Sequence, residues 1–361
     1  EINSILFDYG FAPSFPKEVE KEAKKINTHI STKEIQKRLD IRKTKTFTID
    51  PKDAKDFDDA LSIRKLKNQH WEIGVHIADV SHYVPQGGII DKEAIKRATS
   101  IYLVDRVIPM LPELLSNDIC SLKPNTDRLA YSVFFEMDNI ANIIGYKISK
   151  TVIHSDFRFT YQTAQNIIDN GKGKLANELL LLDKLAKILR KKRREKGAIN
   201  FEGSEVKFIL DKNNNPVDIY TKESMPANHL IEEFMLLTNN TVAKHIGITR
   251  TPSPPFVYRV HDSPDYDKIT SLANIIKKFG HSIDVKTPKI LAKSLNNLLK
   301  EVKGRSEQQM VENLTIRSMA KAIYTTKNIG HYGLAFKYYS HFTSPIRRYP
   351  DLIIHRLINK Y

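Results

Sequence analysis

Between Thr46 and Ala60 the chain reads TFTIDPKDAKDFDDA, which places Asp50, Asp53, Asp56, Asp58 and Asp59 within ten residues of a chain whose formal net charge is +15. Five like charges so close together repel one another, unless water dilutes them or cations are held among them. The ordinary alternative is a solvated acidic loop. Three features favour cation binding instead. Asp50 follows directly on an apolar, strand-like run, so its side chain is anchored. Asp56 and Asp58 alternate, which in an extended chain aims both to one side, while Asp59 faces the other or caps the next strand. Phe57 sits among the acids, where a loop made for solubility has little use for it.

The elements that must position these acids follow from the flanking residues. Phe47 and Ile49 precede the cluster and Ala60, Leu61 and Ile63 follow it, so the carboxylates are expected in a tight turn between two partly buried strands. Trp71 to Val80 is a nearly continuous apolar run and reads as a further buried strand. His76 lies within it and is expected to be a satisfied core histidine, because no second histidine stands at metal-ligand spacing. Asp79 is read either as a cap of the following turn or as support for the acidic cluster.

The sequence has 361 residues with 41% hydrophobic and 27% charged content, enough for a large core. No apolar run approaches the length of a membrane span, and the first residues carry no signal-peptide pattern. A single cysteine, Cys120, excludes a disulfide framework and a thiolate zinc cage, which fits a reducing, cytoplasmic setting. Fifty-seven Lys and Arg against forty-two Asp and Glu favour a polyanionic partner. A basic surface gathers a phosphate backbone, and a local acidic nest holds the metal that acts on it.

Residues 1–45 read as an approach segment with two short helical runs, from Lys17 and from Ser31, the second with Glu34 in the capping-box position. This segment is expected to pack on a neighbour or lead to a further domain. Residues 46–361 read as one large α+β domain. Asp91 to Thr99 predicts a short helix, and IPMLPELLSNDICSL predicts a rigid loop. Arg128–Met137 and Gly145–His154 predict paired strands. Leu175 to Lys196 predicts a long helix stopped by Gly197, with its terminal RKKRREK as a solvated basic face or an RNA contact. Phe201 to Ile219 predicts strands around an NNNP turn, and Phe256 to Val260 another. His229 to Ile246, Lys268 to Phe279, Lys289 to Val302 and Ser306 to Thr325 predict helices.

A second constellation lies in HYGLAFKYYSHFTSPIRRYPDLIIHRLINKY. The helix carrying Leu352, Ile353, Leu357 and Ile358 is expected to start at Pro345 or Pro350, which puts Arg347 and Arg348 at or just before its electropositive N-terminus. Arginines there are unfavourable without an anion. A ligand phosphate resolves the conflict, and so does pairing with a carboxylate such as Asp351. Together the two constellations suggest phosphodiester hydrolysis. Mg²⁺ needs only a few hard oxygen ligands, one or two such ions serve hydrolysis, and an arginine offsets charge on the phosphorane oxygens. Tyr102 and Tyr161 are candidates for stacking on bases, with core packing as the alternative for each.

The chain resembles the catalytic domain of the ribonuclease II and ribonuclease R family, the RNB domain. TIDPKDAKDFDDA is similar to the family's acidic motif, and HIADVSHYV, LPELLSNDICSLKPNTDRLAYS, GAINF, PFVYRVHDSP, HYGLAF and TSPIRRYPDLIIHR follow in the expected order, nearer ribonuclease R in wording. The resemblance implies a processive 3′→5′ exoribonuclease that uses Mg²⁺ (with Mn²⁺ as a substitute) and releases nucleoside 5′-monophosphates. It implies Asp50, Asp56, Asp58 and Asp59 as metal-site carboxylates, Asp59 mattering most for turnover, with Asp58 also close to the chemistry. It implies Arg347 on the scissile phosphate with Arg348 beside it, Tyr102 packing on terminal bases, Tyr161 as a second aromatic clamp, and Glu233 (or its neighbour Glu232) reaching the RNA. The expected partner is the 3′ end of single-stranded RNA, bound by a monomer without a membrane. The family's cold-shock-like and S1 modules find no counterpart in this sequence.

Two other readings remain. One is an RNA-binding module of the same fold that lacks catalysis, which leaves the four aspartates and Arg347 without a purpose. The other is a different Mg²⁺ phosphotransfer enzyme, which leaves the basic balance and SPIRR unused.

Overall fold

The computed structural model describes residues 2–200, 205–212, 215–222, 224–249 and 254–361. Its centre is a seven-stranded sheet, ordered Leu39–Asp40, Ile143–His154, Asp127–Met137, Trp71–Ala78, Asp59–Lys65, Thr46–Asp50, Phe157–Thr160. The inner pairs are antiparallel, and the two outermost pairs are parallel. The expected strand pair in the region 128–154 is present, with Arg128 opposite Ile153.

Successive side chains point to opposite faces of a strand, and here both faces are covered. Leu61, Val75, Ile77, Val133 and Phe135 pack on one side with residues from the helices Ala176–Glu195 and Pro226–Thr249. Ala60, Ala78 and Ala130 face the other, against Val80, Ile90, Ile346 and Leu352. That two-sided burial is why the central strands read as continuous apolar runs. His76 is fully buried, bonded to Ser132 Oγ at 2.7 Å and Ser62 Oγ at 2.9 Å, as expected of a core histidine.

The described part of the segment before Thr46 packs on this body. Val19 and Ala23 are buried in the second core, and Leu39 pairs in parallel with Thr151. Arg38 and Asp79, both buried, form an ion pair at 2.8 Å. Asp79 therefore anchors this segment, and its other oxygen accepts from Ser81 Oγ.

Several expectations change in detail. The proline-rich loop contains one π-helical turn, Leu115–Ile119. The helix expected over Ser306 to Thr325 is Gln308–Ser318, and Ile323–Thr325 pairs instead with Tyr258–Val260. β-branched and aromatic residues facing a partner strand outweigh a helical spacing there. The basic end of Ala176–Glu195 is only partly a solvated face. Lys192 Nζ donates to Ile140 O at 2.7 Å, and the Arg193 side chain is largely buried. Of the strands expected over Phe201 to Ile219, Glu205–Leu210 and Pro216–Lys222 pair antiparallel, while residues 201–204 and 213–214 lie outside the described residues. A third core joins the helices Tyr266–Lys277, Pro288–Glu301 and Gln308–Ser318 through Ile269, Leu272, Leu295 and Leu298.

Candidate functional site

The acidic run lies where the sequence suggests, between the adjacent strands Thr46–Asp50 and Asp59–Lys65. Phe57 is the reason the turn is not a loose loop. Its ring is buried, its N–H donates to Ser121 Oγ at 2.9 Å, and its carbonyl accepts from Leu122 N at 3.0 Å. Ser121 Oγ in turn donates to Lys55 O at 2.7 Å. Arg158 completes the hold, donating to the carbonyls of Pro51 and Lys52 at 2.8 and 2.7 Å with its guanidinium 4.9 Å from the Phe57 ring centre. Neither Ser121 nor Arg158 stands out in the sequence, since each acts on residues more than sixty positions away. Asp53 is exposed at the outer side of the turn.

Asp58 is buried, and both of its oxygens are used by the C-terminal segment. Oδ1 accepts the Ile346 N–H at 2.9 Å and Oδ2 accepts Arg347 Nε at 3.1 Å. Arg347 Nη2 also donates to Ser344 Oγ at 3.0 Å. Arg348 stands at the N-cap position of the helix Tyr349–Lys360 without a side-chain capping bond; the helix has Pro350 in its first turn, and Arg348 pairs with Asp351 at 2.7 Å. The carboxylate alternative for the crowded arginine is thus realised for Arg348. Arg347 remains 45% exposed along its side chain and keeps donors for an incoming anion.

Tyr102 sits in a short hairpin, Ile101–Tyr102 with Val107–Ile108, and its hydroxyl donates to Asp56 Oδ2 at 2.9 Å. Its ring is half exposed. The preceding residues grip the arginine segment: Ser100 N and Thr99 Oγ1 both donate to Arg347 O, at 2.9 and 3.0 Å, and Tyr349 N donates to Ala98 O. Tyr161 opens the helix Tyr161–Asn170, directly after the strand that pairs in parallel with Thr46–Asp50, where Thr160 lies opposite Asp50. Its phenol is pushed up by burial and then by the charges of Asp59 and Asp50. Glu233 is placed differently. Its carboxylate is buried against Arg193, with Nη2 at 2.5 Å and Nε at 3.2 Å, while Glu232 is nearly half exposed beside His229.

The electrostatics of the acids reflect crowding and burial. Burial pushes Asp50 up to about 6 and Asp58 up to about 7, the latter even with Arg347 alongside. Asp59 is raised well above the carboxylate range by burial and then by the charges of Asp50 and Asp58. Asp50 Oδ2 is buried with no hydrogen-bond partner. Crowded, desolvated carboxylates with an orphaned oxygen are the donor set a hard divalent cation takes, and such an ion lowers the affinity of its ligands for protons. Among the described residues no three His, Cys, Asp or Glu side chains already converge as a closed cage. Mg²⁺ does not require one, because it keeps several waters and draws on substrate phosphate beside one or two carboxylates.

Comparison with known proteins places the chain among its relatives. The family model described as the RNB domain matches residues 38–361. Ribonuclease R of Thermotoga maritima is 45% identical over 356 residues, covering 96% of this chain and 49% of that protein. The RNase R of Mycoplasma genitalium is 30% identical. Its complex with double-stranded RNA superposes with a TM-score of 0.93 over all of this chain and 64% of that one. Its complex with ribose-methylated single-stranded RNA gives 0.91 over 99% and 56%. Yeast Ssd1, described as a pseudonuclease, shares the fold at 20% identity, with a TM-score of 0.78 over 99% of this chain and 45% of that one. The chain spans about half the length of the curated relatives it matches.

Proposed function

Starting from the fact that this chain belongs to the RNB domain family, we propose that it is a processive 3′→5′ exoribonuclease, which hydrolyses single-stranded RNA to nucleoside 5′-monophosphates with Mg²⁺. The observation that carries the reading is the joining of the two constellations: Asp58 receives both Ile346 N and Arg347 Nε, so the acids and the free face of Arg347 border one site. Ribonuclease R relatives, one of them solved with bound RNA, support the choice of reaction and substrate.

In this reading carboxylates drawn from Asp50, Asp56 and Asp59 would hold the metal, with water and substrate phosphate completing its shell and Asp58 at its edge. When bound, Mg²⁺ would supply an activated water and a counter-charge for the leaving 3′-oxygen. Arg347, oriented by Asp58 and Ser344, meets the non-bridging oxygens of the scissile phosphate, where charge grows. Arg348 adds positive potential behind it while tied to Asp351. Tyr102, tethered through its hydroxyl to Asp56, presents an exposed ring to a terminal base, and Tyr161, packed partly against the first core near Asp50 and Asp59, would be the second aromatic contact. Glu233 acts through Arg193. Among the described residues no helix is long and apolar enough to cross a membrane; we assign the activity to a monomer in the cytoplasm, in keeping with a buried, unpaired Cys120.

The test is Asp59→Asn with a 5′-labelled single-stranded oligoribonucleotide. Hydrolysis to mononucleotides is expected to vanish while RNA affinity stays within a few-fold. A full-speed variant removes the site assignment. Wild-type chain that binds the RNA but releases no nucleotide in Mg²⁺ replaces the enzyme with a binding module, the alternative that the pseudonuclease fold relative keeps open.

A further inference from the structure

Described residues of three of the segments that carry the family resemblance, GAINF, PFVYRVHDSP and HYGLAF, meet around a cavity of about 590 Å³, to which they contribute Gly197, His261, Asp262, His331, Tyr332 and Phe336. Backbone hydrogen bonds fix the wall: Ile199 N donates to Gly333 O at 2.9 Å, Tyr332 N to His261 O at 2.8 Å and His261 N to Gly330 O at 3.0 Å. The approach is close at 333, where a Cβ would lie 3.0 Å from His261 Nδ1 and the imidazole would have to give by a few tenths of an ångström. None of Asp50, Asp56, Asp58, Asp59, Tyr102, Tyr161, Arg347 or Arg348 lines the cavity.

Its chemistry is that of a site for an anion joined to a flat ring. Lys196, Lys289 and Lys337 stand on its rim, and among the described residues none of the three is held in an ion pair. Lys289 also lies at the start of the 14-residue helix Pro288–Glu301, whose end is electropositive. The single carboxylate, Asp262, is turned back onto Ser263 N at 2.7 Å. Burial lowers the proton affinity of both lining histidines, so the positive charge of the site is that of its lysines. His261 Nδ1 accepts Gly333 N–H at 3.0 Å and Nε2 donates to Ala320 O at 2.9 Å, which uses both ring nitrogens in the neutral form. The rings of His261 and His331, both lining the cavity, lie 5.0 Å apart, and His261 meets the ring of Tyr332, also in the lining, at 6.3 Å. The volume falls within the roughly 300–1,000 Å³ of small-molecule sites.

We propose that this cavity binds one nucleotide, with its phosphate among Lys196, Lys289 and Lys337 and its base against the ring wall, apart from the acidic centre. The identity of the ligand rests on the exoribonuclease reading. The same chemistry is offered by a released nucleoside 5′-monophosphate and by a nucleotide still within a strand.

The experiment measures binding of adenosine 5′-monophosphate and of a four-nucleotide oligoribonucleotide, by calorimetry in EDTA so that nothing is hydrolysed. It uses the whole chain, the double variant Lys289→Ala/Lys337→Ala, and an equal-charge control, Lys67→Ala/Lys92→Ala. All four lysines are exposed, so the variants are expected to fold. The double variant should weaken at least one of the two ligands about fivefold or more relative to the control, a loss of about 1 kcal/mol. If only the monophosphate is weakened, the source is released product. If only the oligonucleotide is weakened, the source is the strand. Equal binding of both ligands by the variant and its control overturns the proposal. Hydrolysis by the wild type in Mg²⁺ is scored separately, so a chain that binds monophosphate here but cleaves nothing sinks the enzyme reading and leaves the cavity standing.

Discussion

Arg347 Nε donates to Asp58 Oδ2 at 3.1 Å across 289 positions of sequence, and the same carboxylate takes the N–H of Ile346 through its other oxygen. A carboxylate used in this way is a bracket for the arginine before it is anything else. The buried Asp58 faces no solvent that could replace these bonds.

The bracket makes a prediction about coupling. Arg347→Ala is expected to slow hydrolysis by about 10²–10³-fold, the usual loss for one donor to developing charge. Asp58→Asn keeps an acceptor for Ile346 but weakens the hold on Arg347, and about 10–100-fold is expected. The double variant should then be no slower than Arg347→Ala alone, because both changes remove one function. Single-turnover rates of the four proteins decide it. Multiplying losses would make Asp58 an independent metal ligand.

Tyr102 offers two separable contacts. Tyr102→Phe removes the hydroxyl bond to Asp56 and keeps the ring, whereas Tyr102→Ala removes both. Base stacking on an aromatic ring contributes about 1–3 kcal/mol, so the Ala variant should release a longer limit product, while the Phe variant keeps the wild-type ladder. A gel of end products reads this directly, and an unchanged ladder in Tyr102→Ala removes the stacking role.

The basic balance predicts a salt response. Each phosphate contacted by Lys or Arg releases condensed counterion, giving a log–log slope of about −0.7 per contact for single strands. Binding of the catalytically inert Asp59→Asn chain to a single-stranded oligoribonucleotide should therefore fall with a slope steeper than about −2. A flat titration would remove the charged channel from the account.

Much of the site was legible because it is local. The acids, Phe57 and their flanking strands occupy one short stretch, and the apolar neighbours on either side place that stretch in a turn between two buried strands without tertiary information. Arg347 was legible from a conflict, two cations at a helix N-terminus. The supports were not. Arg158 and Ser121 hold the acidic turn through backbone carbonyls and an amide far away in sequence, and such bonds leave no periodicity or motif. Ile323–Thr325 was misread because a three-residue strand gives too few positions to distinguish a period of 2 from one of 3.6. The Arg193–Glu233 pair shows the same limit: a basic run at a helix end reads as solvated until its partner on another helix is known.

The core makes the final prediction, through His76. Burial among Ser62, Ser132 and the ring of Phe134 lowers its affinity for a proton to about 3, against about 6.5 in an unfolded chain. The folded form therefore stays neutral while the unfolded form gains a proton. The stability this histidine contributes is complete above about pH 6.5 and is lost as pH falls from there toward 3. Between pH 7 and pH 5 its share of the loss is about 2 kcal/mol. Other buried histidines add to the total, so the measurement is a difference. Urea unfolding of wild type and His76→Asn at both pH values should show the variant less stable at pH 7, yet losing about 2 kcal/mol less on acidification. An identical pH dependence in the two proteins would mean that His76 is charged in the fold or already shielded in the unfolded chain.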